Sequence, residues 1–226
     1  KMREKKNIKL DAVNLLDEIQ NGKYSNIQMN YYFSQNEYSK KEREFITNII
    51  NVTLKNLIFV DYMLGQTVRN IQKRKIKQLL RISVAQILFM DSDNAGVVYE
   101  AGEISKIINK HQTGFVNATL QAIIKNKEEI INAIPEDKRE GIIYSYPQWF
   151  VNKLKIDYPD NYLEIMESYK KRSYLSVRFD KNKMTKEKFE KLLKEINTEV
   201  LFSVDEVYYL SNANIFDTEI YRNGEA

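Results

Sequence analysis

The sequence predicts a mainly α protein, in which a bundle of about seven helices is followed by a small α+β domain. Apolar residues in the first part of the chain recur at spacings of three and four, which is the helical period. The connections between these stretches are short, which favours antiparallel packing in a compact bundle. The pattern changes near Ile134–Asp137, and Tyr174–Asp180 alternates apolar and polar residues as a strand does. We therefore predict two domains, residues 1–135 and 136–226.

The first domain contains seven amphipathic segments in succession. Asn21 and Gly22 end the first segment in the manner of a helix C-cap. Ser39 and Glu42 have the spacing of a capping box, in which each side chain satisfies a free amide of the first turn. A short helix is predicted over Ser25–Phe33, and the fifth helix over about Gln72–Met90. The predicted apolar stripes span Ile8–Ile19, Phe45–Val52, Leu57–Leu64, Ile76–Leu88, Val97–Ile108 and Val116–Ile123.

The second domain mixes helices with strands. Helices are predicted around Tyr146–Trp149, over about Asn161–Lys171, and from Thr185 onward. Four strands are predicted at Tyr174–Asp180, Glu199–Ser203, Val207–Leu210 and Ile215–Tyr221. The alternation in the first strand places Leu175, Val177 and Phe179 on one face and Ser176 and Arg178 on the other.

Composition excludes several classes of site. The chain has no cysteine and a single histidine, His111, which argues against disulfides, thiolate chemistry and histidine-based metal sites. No apolar run reaches the roughly 18 residues that a membrane span needs, and the basic N-terminus lacks the apolar stretch of a signal peptide. We therefore expect a cytoplasmic protein without a metal or membrane partner.

The net charge of +4 is unevenly distributed along the chain. Residues 1–126 contain 19 Lys and Arg against 12 Asp and Glu, whereas residues 127–226 contain 16 against 19. A positive balance concentrated in the helical part favours a polyanionic partner there.

The densest positive charge lies at the start of the fifth helix. Arg74, Lys77 and Arg81 share one helical face, which the spacing places opposite the apolar stripe. Phosphates are the natural ligands of such a surface, although a merely solvated helix face, or a buried polar role for any one of these residues, has the same pattern. We call the whole group the basic ridge: Arg69, Lys73, Arg74, Lys75, Lys77 and Arg81.

The second domain offers fewer candidates. Arg178 on its exposed strand face could contact RNA or be an ordinary surface arginine. Trp149 and the nine tyrosines from Tyr144 to Tyr221 could stack on bases, but we expect most of them to fill the domain core. The seven glycines are scattered singly, so no glycine-rich turn is available for a nucleotide, and we predict no catalytic residue in this sequence.

Four segments of the helical part resemble, in order, the motifs of NusB-type domains. The segments are Lys41–Phe45 with Thr53–Leu64, then Lys77–Met90, Glu100–Lys110 and Gly114–Leu120. They are similar to the family patterns DR-x-F…G-x-L-R…D…L, LLRLGAYQLLFL, NEAVELAK and GFVNAVLR. Lys55 stands where arginine is usual, which keeps the charge but loses bidentate pairing with a phosphate.

The remainder resembles the RsmB/Sun family of 16S ribosomal-RNA cytosine-C5 methyltransferases, which carry a NusB-like N-terminal domain. Tyr146–Trp149 is similar to the family's HPxW element, Leu175–Asp180 to its LRVN strand, and Tyr221–Gly224 to the F-x-x-G before its catalytic domain. The resemblance covers nearly all of this chain but only the front part of that family.

This resemblance implies an RNA-binding segment that is not catalytic by itself, with a ferredoxin/RRM-like second domain. S-adenosylmethionine and the reacting cysteines would belong to a C-terminal methyltransferase domain absent from this sequence, and the partner would be small-subunit ribosomal RNA. Lys55, Arg178 and the basic ridge are the expected RNA contacts. The alternatives are a free-standing NusB-type antitermination factor or RNA-binding regulator, and a bundle that binds other proteins.

Overall fold

A computed structural model describes residues 7–171, 174–212 and 214–225. The chain divides into two compact units, with the division between Lys170 and Lys171. The helices up to Lys170 therefore group with the first unit by compactness. The domain boundary predicted after residue 135 stays a prediction, because a division by compactness does not show where one sequence family ends and the next begins.

The first unit begins with the seven predicted helices. They are α1 (Ile8–Ile19), α2 (Ser25–Gln35), α3 (Lys40–Lys55), α4 (Leu57–Thr67), α5 (Arg74–Phe89), α6 (Asn94–Asn109) and α7 (Thr113–Asn132). The capping box is present at α3: Ser39 Oγ accepts from the Glu42 amide at 3.3 Å, and Glu42 accepts from the Ser39 amide at 2.7 Å. The mainly α fold class is confirmed.

The central element of this unit is α5. It packs against α1, α3, α4, α6 and α7. Every residue from Gln78 to Gln86 is buried, which is the pattern of a helix surrounded on all sides. Four of these nine buried residues are polar, namely Gln78, Arg81, Ser83 and Gln86, so the core helix carries polar groups that need partners.

Three shorter helices complete the first unit: α8 (Arg139–Ile143), α9 (Gln148–Asp157) and α10 (Tyr162–Lys170). The turn after α8 reaches back to the bundle. Ser145 Oγ accepts from the amides of Ile58 at 2.8 Å and Phe59 at 3.3 Å. These amides are in the first turn of α4, where Asn56 provides no side-chain cap, so a residue distant in sequence caps that helix.

The second unit is a three-stranded antiparallel sheet with a helix on one face. Its elements are β1 (Leu175–Arg178), α11 (Lys186–Glu195), β2 (Val200–Val204), β3 (Val207–Leu210) and α12 (Glu219–Arg222). The strand order is β1-β3-β2. Val177 and Tyr208 point to the covered face, where Phe189 and Leu193 of α11 complete the core. The alternation predicted for the first strand is confirmed, with Val177 and Phe179 buried and Ser176 and Arg178 exposed.

Two predictions for this part of the chain are wrong. The fourth strand, Ile215–Tyr221, is instead a 3-10 turn and the short α12. Thr218 Oγ1 accepts from the Tyr221 amide at 3.3 Å and so begins a helix within a run too short for periodicity to identify. The expectation that most tyrosines fill the core also fails. The structure describes all nine from Tyr144 to Tyr221, and of these only Tyr208 is buried.

No helix among the described residues is both long and apolar enough to cross a bilayer.

Candidate nucleic-acid interface

The basic ridge extends from the α4–α5 connection, which contains Arg69 and Lys73, through the first half of α5. Arg69, Lys73, Arg74 and Lys75 are exposed, and Lys77 is half-buried. Arg81 is only 7% exposed, so it does not lie on the solvent face that its spacing predicts. The ridge therefore consists of five accessible cations and one buried arginine.

Arg81 forms a two-pronged ion pair with Asp61 of α4. Its Nε donates to Asp61 Oδ1 at 2.7 Å and its Nη2 to Oδ2 at 2.5 Å. Its Nη1 donates to the side-chain oxygens of Gln20 and Gln78, each at 3.1 Å. Bidentate charge-assisted bonds of this kind satisfy a buried guanidinium and fix its orientation. Arg81 thus links α1, α4 and α5 from within.

Two exposed members of the ridge are held against α1. Arg74 Nη2 donates to Asp17 at 2.7 Å and its Nη1 to Asn21 at 2.7 Å. Lys75 Nζ donates to Asn14 Oδ1 at 2.8 Å. The carboxylate of Asp17 offsets the charge of Arg74, whereas Lys75 keeps its full charge beside a neutral amide.

Arg69 and Lys77 lie together on one pocket of about 230 Å³, which the sequence does not reveal. Among the described residues neither forms an ion pair or a side-chain hydrogen bond. Asp61 also lines this pocket, but its carboxylate is already paired with Arg81. The pocket, which we call the basic pocket, therefore has two uncompensated cations at its surface. The remaining lining residues are Leu64, Gly65, Val68, Asn70 and Ile71.

Lys55 lies elsewhere on the first unit, at the C-terminal end of α3. No residue of α3 lines the basic pocket, so Lys55 is not part of that site. Lys170 Nζ donates to the Lys55 carbonyl at 3.1 Å and to Asn56 Oδ1 at 2.7 Å. Burial, and then the positive charge of Lys55, lower the pKa of Lys170 to about 8. Sequence reasoning missed Lys170, because nothing in its local pattern shows that it meets the end of a distant helix.

Arg178 lies in the second unit, exposed on β1 as predicted. It lines a pocket of about 490 Å³ together with Asp180, Lys181, Glu206 and Glu225. Lys181 Nζ pairs with Glu206 at 3.2 Å. Opposite charges are mixed here, so this pocket lacks the net positive character of the basic pocket.

The helical part matches a known family. The model described as the NusB family matches residues 6–125, which is more than half of the chain. The chain belongs to the NusB family. In this NusB-family chain, residues 146–206 also match the model described as the RsmF/B-like methyltransferase ferredoxin-like domain.

Curated relatives fall into two groups. The probable ribosomal RNA small subunit methyltransferase B of Bacillus subtilis is 33% identical over 153 residues, which are 66% of this chain and 34% of that protein. The ribosomal RNA small subunit methyltransferase B of Klebsiella pneumoniae is 20% identical over 73% of this chain and 38% of its own length. The transcription antitermination protein NusB of Campylobacter jejuni is 25% identical over 54% of this chain and 96% of its own length.

The NusB-family chain therefore spans little more than a third of the methyltransferase relatives that it matches. Among solved structures, the crystal structure of PH0851 has a similar fold, with a TM-score of 0.67 and 18% identity. The similarity covers 98% of this chain and 53% of that one.

Metal ligands do not cluster in the part of the chain that the structure describes: no group of three or more His, Cys, Asp or Glu residues is placed to hold an ion.

Proposed function

We propose that this chain is the RNA-recognition part of a small-subunit ribosomal-RNA cytosine-C5 methyltransferase and is not catalytic by itself. The observation that carries the proposal is the pairing of a NusB-family bundle with an RsmF/B-like ferredoxin-like domain in one chain. The Bacillus subtilis relative, which matches 66% of this chain, is named as a probable methyltransferase of small-subunit ribosomal RNA.

Within the bundle, we propose that the basic pocket holds a phosphate of the RNA backbone. Arg69 and Lys77 supply positive charge that no acid offsets, because Arg81 already neutralises Asp61. Each phosphate that such residues neutralise releases condensed counterions, which drives binding without reading sequence. Lys73 and Lys75 extend the positive surface. Lys55 would add a contact elsewhere on the first unit, and Arg178 one from the second unit. Arg81, by contrast, is buried, so it does not contact the RNA. It contributes to the pocket by neutralising the carboxylate of Asp61.

The methyl donor of such an enzyme would be S-adenosylmethionine, and the residues of this chain do not fit it. Its glycines are scattered singly, so no glycine-rich turn lets the backbone approach the amino-acid end of the donor closely. We therefore assign donor binding and methyl transfer to a domain outside this sequence.

The test of RNA binding is a titration of a labelled small-subunit ribosomal-RNA hairpin, followed by fluorescence anisotropy. Arg69→Glu with Lys77→Glu should weaken binding by at least tenfold. The same variant should lower the salt dependence, by a slope of about 0.9 for each duplex phosphate that is no longer neutralised. Lys125→Glu with Lys127→Glu, two exposed residues of α7, reverses the same amount of charge and should leave affinity within about threefold. If both double variants weaken binding equally, the basic pocket is not the phosphate site.

Arg81 is unsuitable for this test. Changing it to glutamate would place two carboxylates together in the bundle, and reduced affinity would then report unfolding.

The antitermination alternative rests on the Campylobacter jejuni relative, which this chain covers almost completely. Reading the gene beyond the codon for Ala226 distinguishes the two. A glycine-rich motif and a Pro-Cys motif downstream support the methyltransferase, and a stop codon at that point supports the regulator.

A further inference from the structure

The sheet of the second unit has one face covered by α11 and one face open. Val177 and Tyr208 are buried on the covered side. The register pairs Ser176 with Tyr209 and Phe202 with Tyr209, so these side chains share the open side. We call this surface the aromatic face: Tyr174, Ser176, Arg178, Phe202, Val204 and Tyr209.

Three rings form a continuous cluster on the aromatic face. Phe202 and Tyr209 are stacked, with centroids 4.1 Å apart and planes 16° from parallel. Tyr174 meets both edge-on, at 5.4 Å from Phe202 and 6.3 Å from Tyr209. Tyr174 is 61% and Phe202 44% exposed. Contiguous apolar patches that stay exposed to solvent are typical of binding surfaces.

The polar residues of the same face indicate what covers it. Arg178 is exposed and, among the described residues, forms no ion pair; it interacts electrostatically with Glu206, whose carboxylate is paired with Lys181. It lies four residues along the strand from Tyr174, a separation of about 13 Å. An apolar protein surface placed over the rings would desolvate this guanidinium without a partner, which is costly. A nucleotide strand instead presents flat bases to the rings and a phosphate to the cation.

We propose that the aromatic face binds single-stranded RNA, with unpaired bases stacked on Tyr174 and Phe202 and a backbone phosphate at Arg178. That the ligand is RNA rests on the proposed function, but the aromatic face is a different site from the basic pocket and binds by different chemistry. The basic pocket takes phosphates of any RNA, whereas the aromatic face requires bases that are free of a duplex. Stacking of this kind is tolerant of sequence, because every base has a π face.

The experiment compares two RNAs and two double variants of the full chain by fluorescence anisotropy. The probes are a short unstructured pyrimidine RNA and a blunt duplex of the same length. The test variant is Tyr174→Ala with Phe202→Ala. The matched control is Phe216→Ala with Tyr221→Ala, a second exposed pair in the same unit, 39% and 43% exposed with ring centroids 4.6 Å apart.

We expect the test variant to bind the single strand roughly tenfold or more weakly, as the removal of one or two base–ring stacks predicts, and to bind the duplex unchanged. The control should bind both probes as the original chain does. Tyr174→Phe keeps the ring and should retain affinity, and Arg178→Gln should reduce the salt slope for the single strand by about 0.7. Circular dichroism melting of each variant separates an effect on stacking from an effect on folding.

Three results would overturn the proposal: equal losses of affinity in the test and control variants, equal losses for both probes, or no loss. If Arg69→Glu with Lys77→Glu abolishes hairpin binding while the aromatic variants bind normally, the aromatic face fails and the proposed function stands. If the aromatic variants lose single-strand binding while Arg69→Glu with Lys77→Glu binds the hairpin normally, the phosphate site at the basic pocket is refuted and the aromatic face is supported. Sedimentation that shows dimers of the original chain and monomers of the test variant, with RNA binding unaltered, would assign the face to a second copy instead.

Discussion

Arg81 illustrates how a single side chain can belong to a cationic segment and still serve the core. Its neighbours Arg74, Lys75 and Lys77 remain accessible, but Arg81 lies one turn further along α5, where every residue is buried. Burial of a guanidinium is tolerable only because Asp61, Gln20 and Gln78 satisfy it together. The same pair removes the charge of Asp61 from the basic pocket, so one contact stabilises the bundle and makes the pocket more positive.

Asp61→Ala should therefore destabilise the chain strongly. The change leaves a buried guanidinium without its counter-charge, and we expect a loss of roughly 3 kcal/mol in the free energy of unfolding, measured by urea denaturation. Asp157→Ala breaks the exposed pair with Lys153 and should cost about 0.5 kcal/mol or less. Similar losses in the free energy of unfolding for the two variants would show that the Arg81 guanidinium becomes hydrated when Asp61 is removed.

Lys170 should make stability depend on pH in the alkaline range. Its pKa is lowered to about 8 in the folded chain, from 10.5, because burial and Lys55 disfavour the charged form. Between these two pH values the unfolded chain binds more protons, so the free energy of unfolding should rise with pH across the window. Lys170→Gln should remove that part of the rise. Urea denaturation of the original chain and of the variant between pH 7.5 and 10 should therefore show a difference in the free energy of unfolding that changes with pH. Lys153→Gln is the exposed control, and parallel curves for Lys170→Gln would refute the prediction.

At the scale of elements, helix ends in this chain are satisfied in two ways. The start of α3 is satisfied locally, by the reciprocal bonds of Ser39 and Glu42. The start of α4 is satisfied by Ser145, more than 80 residues later in the chain. The first kind of cap has a sequence signature because its partners have a fixed spacing, and the second kind has none.

Ser39→Ala should cost about 1 kcal/mol in the free energy of unfolding, because the Glu42 amide loses its acceptor. Ser39→Asp keeps an acceptor at the same position and should retain nearly full stability. Thermal melting followed by circular dichroism measures both. If both substitutions cost the same, the capping bond contributes nothing.

At the scale of the whole molecule, the two compact units have separate cores. The core of the first unit draws on Ile142 and Ile143 as well as on the seven-helix bundle. That of the second consists of residues from β1, α11, β3 and the segments that flank them. Each core can therefore be tested by truncation.

A fragment of residues 1–170 should fold cooperatively by itself, whereas a fragment of residues 1–135 should be less stable by roughly 2 kcal/mol or more. The shorter fragment lacks Ser145, which caps α4, and the apolar side chains of α8 that pack on the bundle. Urea denaturation of both fragments gives the difference. Equal stability would support the predicted boundary after residue 135 as a physical one.

The sequence by itself determined the elements whose signals are local. Apolar stripes located six of the seven helices of the bundle, strict alternation located β1, and the Ser39–Glu42 spacing located the capping box. Ordered motifs over the helical part indicated the family that the comparison shows. These features depend on residues a few positions apart, so they can be recognised from the sequence alone.

Only the tertiary structure decided which charged and aromatic residues are available. Arg81 is buried because α5 passes through the centre of the bundle, and Arg69 and Lys77 share a pocket because α4, the α4–α5 connection and α5 all contribute to its lining. Tyr174, Phe202 and Tyr209 meet because strand order places β3 between β1 and β2. The physical reason is common to all three cases: exposure and partnership are set by groups distant in sequence, and periodicity carries no information about distance across the fold.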